Sequence, residues 1–116
     1  MTEPTSAQDP AGTIHVVAVI TGKPGTGDTI EPMLKALAEG THTETGCLLY
    51  ALHRGVQNPD QFTTVEKWTS AEALQAHLGT DHVKSALGGA GEYLAEAPLI
   101  ISTLPVAAGE PGKSTY

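Results

Sequence analysis

Six side chains in the central part of the sequence have the chemistry to move a proton or to hold an aromatic ring. Histidine accepts and releases protons near neutral pH, and a carboxylate in an otherwise apolar strand needs a partner. Tryptophan and tyrosine offer flat faces for stacking, and tyrosine adds a hydrogen-bond donor. The candidates for proton transfer are Glu66, His53 and His77, and the candidates for substrate contacts are Trp68, Tyr50 and His82.

Each candidate also has a structural interpretation that the sequence leaves open. His53 could be a half-exposed residue beside a turn, and Glu66 could pair with Arg54 across a hairpin. Trp68 could fill the core, Tyr50 could fill a dimer interface, and His77 could be a hydrogen-bonded histidine on an apolar helix face. The choice depends on which face of the sheet meets the helices, and the sequence does not reveal that face.

Motifs for metals and cofactors are absent from the sequence. His77 and His82 are five residues apart with Gly79 between them, so they do not share one helical face, and no HExxH or CxxC pattern occurs. The glycine-rich stretch 22–27 lacks the spacing of a phosphate-binding loop, and no GxGxxG motif occurs. We therefore predict neither a metal nor a cofactor.

Composition and charge restrict the class of protein. The chain has 116 residues and a formal net charge of −7, which favours one domain and disfavours nucleic acids and anionic membranes as partners. The single cysteine, Cys47, cannot form an internal disulfide. We find neither a signal-peptide pattern nor an apolar run of the ~20 residues that cross a bilayer. We expect a cytoplasmic protein.

Hydrophobic periodicity predicts the strands and helices that position the candidate residues. Apolar runs predict strands at residues 14–20, 47–54, 62–69 and 98–105. One helix is predicted to begin at Asp28 or Thr29. Another should follow the capping pattern of residues 69–72, with a short continuation from Thr80 or Asp81.

The order of these elements is β-α-β-β-α-β, which predicts an α+β ferredoxin-like domain with an antiparallel sheet. The domain should cover residues 13–106, between a disordered tail at residues 1–12 and a C-terminal tail at residues 107–116. Glycines at positions 88, 89 and 91 should loosen the chain before the last strand.

Both faces of the first strand are apolar. The run Val16–Ile20 contains only Val, Ala and Ile, whereas a sheet with one solvent-exposed face would alternate with polar residues. We therefore predict a homodimer in which the second face of the sheet packs on the sheet of a partner. The alternative is a monomer whose second face is covered by a tail.

The central block of the sequence carries a family signature. It consists of TGCLLYALHR (45–54), NPDQF (58–62), VEKWTS (65–70), ALQAHL (73–78) and DHV (81–83). These stretches resemble the second strand, hairpin turn, third strand and following helices of the antibiotic biosynthesis monooxygenase family, and the resemblance covers roughly residues 14–105.

The resemblance implies a dimeric α+β barrel with back-to-back sheets and a pocket between each sheet and its own helices. It also implies oxygenation of a quinol or a polycyclic, polyketide-type aromatic by O2 without metal, flavin or haem. The substrate anion would reduce dioxygen itself, while the protein supplies an apolar slot, orientation and polar groups.

Departures from the family pattern keep a second function open. Haem-degrading relatives carry an asparagine in the first strand, a tryptophan in the second helix and a haem-binding histidine in the next helix. The matching positions here hold Val or Ala, His77 and Leu87, so haem degradation is not expected. The polyketide oxygenases also use an asparagine in the first strand. Because it is missing here, the alternative is a non-catalytic, small-ligand-binding dimer.

Overall fold

A four-stranded antiparallel sheet with three helices forms the fold of residues 9–116, which a computed structural model describes. The strands are β1 (Ile14–Thr21), β2 (Cys47–Arg54), β3 (Gln61–Trp68) and β4 (Leu99–Thr103). The helices are α1 (Gly27–Thr41), α2 (Ala71–Leu78) and α3 (Asp81–Ala90), with short 3₁₀ turns at Gly91–Tyr93 and Pro111–Lys113. The strand order β2-β3-β1-β4, with every pair antiparallel, confirms the predicted ferredoxin-like fold. Of the predicted tail at residues 1–12, residues 1–8 lie outside the described part of the chain.

One face of the sheet forms the core together with the helices. Val16 and Ile20 of β1 are buried on this face, and the register pairs them with Glu66 and Phe62 of β3. Apolar positions of α1 meet them from above, namely Ile30, Leu34 and Leu37, which are all buried. The predicted apolar stripe of α1 therefore faces the sheet, as the helical period requires.

The start of α1 is fixed by a distant carboxylate. The helix begins at Gly27, before the predicted start at Asp28 or Thr29. Asp60, in the turn between β2 and β3, accepts hydrogen bonds from the backbone N–H groups of Gly25 (3.0 Å) and Gly27 (2.8 Å). These donors at the helix start have no helical partner, so Asp60 takes the place of a local cap.

The caps of α2 and α3 are local. The Ser70 hydroxyl accepts from the Ala73 N–H at 3.1 Å, so the capping residue is Ser70 rather than the first residue of the predicted pattern. The Thr80 hydroxyl accepts from the Val83 N–H at 3.3 Å and starts α3 as predicted. Helix α3 then runs through the glycines at 88 and 89 to Ala90, which is buried against the domain. That burial stabilises a stretch where we had expected the helix to loosen.

A β-bulge early in β2 changes the face of one residue. The register shifts between Cys47 and Leu49, so Cys47 lies opposite Trp68 and packs against the core. Strict alternation along β2 would put Cys47 on the same face as His53, but the bulge adds a residue to the strand and moves Cys47 to the core face. From Tyr50 onward the alternation holds, and Tyr50 pairs with Glu66.

The opposite face of the sheet is apolar and only partly covered within the single chain. A row of paired residues crosses it from Val65 through Val17 to Ile101. Ile101 remains 45% exposed and its neighbour Leu99 54% exposed. The ring of Tyr116, from the C-terminal segment, covers one corner of this face at 4.9 Å from the ring of His15.

None of the helices within residues 9–116 combines the length and the apolar character that crossing a membrane requires.

Candidate functional site

A cavity of about 150 Å³ lies between the sheet and the helices. Most of its lining is aliphatic, from β1, from all three helices and from Ile100 of β4. Four polar side chains also reach it, namely Tyr50, Thr64, Glu66 and His77. An apolar cavity with a few convergent polar groups is the usual form of a small-molecule site.

The sheet wall of the cavity carries a carboxylate whose two oxygens are both occupied. Glu66 accepts a hydrogen bond from the Thr64 hydroxyl at 2.6 Å and from the Trp68 indole N–H at 2.8 Å. All three residues are buried, with Trp68 fully so. We call Thr64, Glu66 and Trp68 the strand cluster. Both hydrogen bonds of the strand cluster join residues of β3 to one another.

The helix wall of the cavity carries a histidine held by a carboxylate. The Nδ1 atom of His77, near the end of α2, lies 2.7 Å from Oε2 of Glu44. The same oxygen lies 2.7 Å from Nε2 of His82, in the first turn of α3. We call Glu44, His77 and His82 the helix cluster. The helix cluster connects His77 on the cavity wall to His82, whose side chain is 25% exposed.

The second ring nitrogen of His77 is not engaged by Glu44. A carboxylate accepts hydrogen bonds, so in the neutral ring the contact with Glu44 favours the tautomer that carries its proton on Nδ1 and its lone pair on Nε2. Within residues 9–116, Nε2 has no hydrogen-bond partner. Every fully buried side-chain nitrogen or oxygen described there does have a partner, so Nε2 is not fully buried. His77 lines the cavity, and Nε2 is the ring nitrogen that its contact with Glu44 leaves unused.

Rings on both sides fix the orientation of His77. Its ring centre lies 4.5 Å from that of Trp68 and 5.8 Å from that of Tyr50. The main-chain carbonyl of His77 accepts from the Thr80 hydroxyl at 2.7 Å, which ties the end of α2 to the start of α3. The imidazole is thus held by packing as well as by its hydrogen bond.

Tyr50 presents a hydroxyl donor to the cavity. Burial raises the pKa of its hydroxyl well above the ordinary value of 10.0, and the charge of Glu66 raises this pKa further. The phenol therefore stays protonated at any physiological pH. Tyr50 and His77 thus place a hydroxyl and an imidazole on the lining of the same cavity.

The structure brings together some of the candidates from the sequence and separates others. Tyr50, Glu66 and His77 line the same cavity. Trp68 is buried in the core with its ring against that of His77. His82 does not line the cavity and is connected to His77 through their shared contact with Glu44. His53 pairs with Thr63 on the opposite face of the sheet, is exposed, and has no contact with this set.

Glu44 is the site residue that sequence reasoning missed. It sits in the short connection between α1 and β2, where its backbone N–H bonds to the Thr41 carbonyl and its carbonyl accepts from the Cys47 N–H. The spacing of 33 residues to His77 carries no local signal. Only the packing of this connection against α2 and α3 brings the carboxylate to the histidines.

The helix cluster also has the composition of a metal site. Its three ligand atoms, one from each side chain, all lie within 4.8 Å of one another. Two imidazoles and a carboxylate are a set that divalent transition metals accept. Searching the sequence for metal-binding motifs does not detect this set, because Glu44 is remote in sequence from the two histidines.

Comparison with known proteins assigns the family. The family model described as antibiotic biosynthesis monooxygenase matches residues 13–88. The chain belongs to the antibiotic biosynthesis monooxygenase family. No curated protein matches the chain.

Solved structures agree with this assignment. A protein from Caulobacter crescentus, described as an antibiotic biosynthesis monooxygenase, is 31% identical, with a TM-score of 0.76 and coverage of 89% of this chain and 98% of that one. A Pseudomonas aeruginosa protein is 29% identical, with a TM-score of 0.77 and coverage of 84% and 97%. A crystal structure titled antibiotic biosynthesis monooxygenase is 26% identical, with a TM-score of 0.77 and coverage of 81% and 99%. The family and these neighbours support a monooxygenase in general terms.

Proposed function

We propose that the protein is a cofactor-independent monooxygenase that oxidises a quinol or a related phenolic aromatic with O2 inside the cavity. The observation that carries the proposal is that His77 lines an apolar cavity while Glu44 holds its Nδ1, which leaves Nε2 for a substrate hydroxyl. A histidine held in this way has the geometry of a general base. Family membership supports a monooxygenase in general terms, and the roles of His77 and Glu44 are part of this proposal.

The proposed reaction needs no external reductant. Nε2 of His77 takes a proton from a substrate hydroxyl, and the Tyr50 O–H stabilises the oxygen of the resulting anion. The anion gives electrons to O2, and the two combine into a peroxide on a ring carbon, to which His77 returns its proton. Loss of the hydrogen from that ring carbon then breaks the O–O bond, so that one oxygen atom stays on the ring and the other leaves as water. A quinol plus O2 thus gives a hydroxyquinone plus H2O.

The size of the cavity favours a small ring among the substrates that the family suggests. A volume of about 150 Å³ matches the apolar cavities that bind benzene, so one ring fits without rearrangement. Leu78 and Leu87 line the cavity and are 39% and 49% exposed, so they extend the apolar lining toward solvent. A substituent on the ring would lie there. A polycyclic substrate would require these leucines to move.

Isotope labelling tests the proposed reaction. Chelator-treated protein is mixed with single-ring quinols and with an anthrone under ¹⁸O2, and oxygen uptake is followed with mass analysis of the products. We expect uptake that survives chelation, one labelled oxygen atom per product, and faster turnover of the single-ring quinols. Uptake at the spontaneous rate with every substrate would contradict the proposal.

The alternative is a ligand-binding protein without catalysis. It is favoured by the apolar face that β1 presents to the cavity, where Ala18 and Ile20 offer no hydrogen bond to a substrate. In that case a single-ring quinone would bind with one-to-one stoichiometry, while oxygen uptake with the quinol would not exceed the spontaneous rate.

We further propose that the protein is a homodimer through the opposite face of the sheet. Support comes from the apolar row Val65–Val17–Ile101 and from the exposure of Leu99 and Ile101. Sedimentation of the wild type should give the mass of two chains, and Ile101→Glu should give one. The matched control is Val56→Glu in the β2–β3 turn, where Val56 is 98% exposed, and it should leave the mass unchanged.

A further inference from the structure

We propose that Glu44, His77 and His82 form a binding site for a divalent transition metal of the zinc class, on the side of His77 that faces away from the cavity. The proposal rests on the convergence of three side chains from three separate elements on one position. Nδ1 of His77 and Nε2 of His82 each lie 2.7 Å from the same oxygen of Glu44.

The donor set matches the chemistry of such an ion. Zinc sites with an open coordination position use three protein ligands, often two histidines and a carboxylate, with bonds of about 2.0–2.2 Å. Tetrahedral coordination at that bond length separates neighbouring ligand atoms by about 3.3 Å. From the observed 2.7 Å, each nitrogen would move away from Oε2 by about half an ångström, and any ligand pair near the 4.8 Å limit of the set would move closer together, to admit the ion.

The surroundings favour capture of an ion from solution. The side chains of Glu44 and His77 are 14% and 6% exposed, whereas that of His82 is 25% exposed and gives the ion a path from solvent. Gly40 of α1 makes the room for this arrangement, because a Cβ atom there would lie 2.7 Å from Cγ of His82. The ligands are thus partly buried and already aimed at one position.

Metal binding would oppose the proposed oxygenation, and this consequence alone depends on the proposed function. An ion bound to Nδ1 of His77 takes the position of the proton that Glu44 now accepts. The neutral ring must then carry its proton on Nε2, so Nε2 no longer has a lone pair for the substrate. We therefore expect zinc to inhibit the cofactor-free reaction rather than to support it.

Direct binding tests the site without any substrate. Untagged, chelator-stripped protein is titrated with Zn²⁺ by calorimetry, and the bound metal is counted by elemental analysis after dialysis. We expect one ion per chain. Affinity should fall more than about 100-fold in His82→Ala, beyond the usual 10- to 100-fold cost of losing an outer-shell partner. His53→Ala, which removes a histidine from the opposite face, should bind as the wild type does.

Two controls make the outcome decisive. Circular dichroism and thermal melting check that His82→Ala is folded, and His82→Gln provides a second variant that keeps a side chain of similar size. Absence of binding, or equal binding by folded wild type and both His82 variants, would overturn the proposed site. Stoichiometric binding without any oxygen uptake would support the site while contradicting the proposed oxygenation. Oxygen uptake by the metal-free protein, without zinc binding and without an effect of zinc on the rate, would support the proposed oxygenation and contradict the proposed metal site.

Discussion

Each wall of the cavity depends on an acid with two hydrogen-bonding neighbours, but Glu66 itself lines the cavity whereas Glu44 lies behind His77. On the sheet wall, Glu66 accepts from Thr64 and Trp68, and all three side chains are satisfied and buried. On the helix wall, Glu44 accepts from His77 and His82, and His77, which lines the cavity, keeps one nitrogen unused. The strand cluster therefore supports the fold, while the helix cluster offers a group that can react.

This difference follows from where the partners come from. The members of the strand cluster are two residues apart on one strand, so their side chains share a face by alternation alone. The members of the helix cluster come from the α1–β2 connection, α2 and α3. A cluster assembled from separate elements depends on their packing, and small displacements of those elements change it.

The largest effect that separates the two walls is expected from Glu44→Gln. A glutamine at this position can turn its NH2 group toward His77 and favour the opposite tautomer, with the proton on Nε2. We expect oxygen uptake by the metal-free protein to fall by about 10²- to 10⁴-fold, as when an orienting carboxylate is lost from other catalytic histidines. The fold should persist. Glu39→Gln, at an exposed position of α1, is the matched control and should keep the wild-type rate.

Glu66→Gln should show the reverse pattern. The amide oxygen can keep the Trp68 N–H while the NH2 group donates to the Thr64 hydroxyl, so both hydrogen bonds persist but lose the strengthening that the charged carboxylate gives them. We expect the free energy of unfolding in urea to fall by about 1–3 kcal/mol. The folded fraction should keep most of its oxygen uptake. Glu72→Gln, exposed in the first turn of α2, should change neither quantity. A stable Glu66→Gln variant with no activity would assign the chemistry to the sheet wall instead.

The smallest effect is expected from Asp60→Asn, which lies away from both walls. Hydrogen bonds from the Gly25 and Gly27 backbone N–H groups lower the pKa of Asp60 below its ordinary 3.8, and the charge of Arg54 adds to this. Because the folded-state pKa is the lower one, its stabilising contribution is complete above pH 3.8 and is lost as the pH falls through the lowered pKa. The melting temperature of the variant should therefore be lower than that of the wild type near neutral pH.

Acid titration of the melting temperature provides the check for Asp60. The difference between wild type and Asp60→Asn should shrink as the pH falls below 3.8. A difference that stays constant from neutral pH to strongly acidic pH would show that the charge of Asp60 does not stabilise the start of α1.

The sequence allowed the fold to be predicted because the apolar periodicities are strong and their order is specific. The strands, the helices and the split β-α-β arrangement follow from apolar runs such as Val16–Ile20 and from the helical spacing of Ile30, Leu34 and Leu37. The start of α1 did not follow, since the carboxylate that caps it is 33 residues beyond Gly27. Strict alternation of side chains along β2 also could not predict the bulge at Cys47.

The candidate site could be predicted only in part. Tyr50, Glu66 and His77 are unusual residues within apolar patterns, which made them site candidates, and all three line the cavity. His53 carried a similar signal, but the parity of β2 places it on the opposite face. Glu44 lies in a polar connection where an acid is ordinary, so only its packing against α2 and α3 reveals it.

The most direct test of the account is a comparison of two histidines. Oxygen uptake with a single-ring quinol is measured for metal-free wild type, His77→Ala and His53→Ala. We predict that kcat/KM falls by about 10²- to 10⁴-fold in His77→Ala, that added imidazole restores part of it, and that His53→Ala keeps the wild-type value. Equal rates for a folded His77→Ala variant and the wild type would contradict the assignment of His77 as the base.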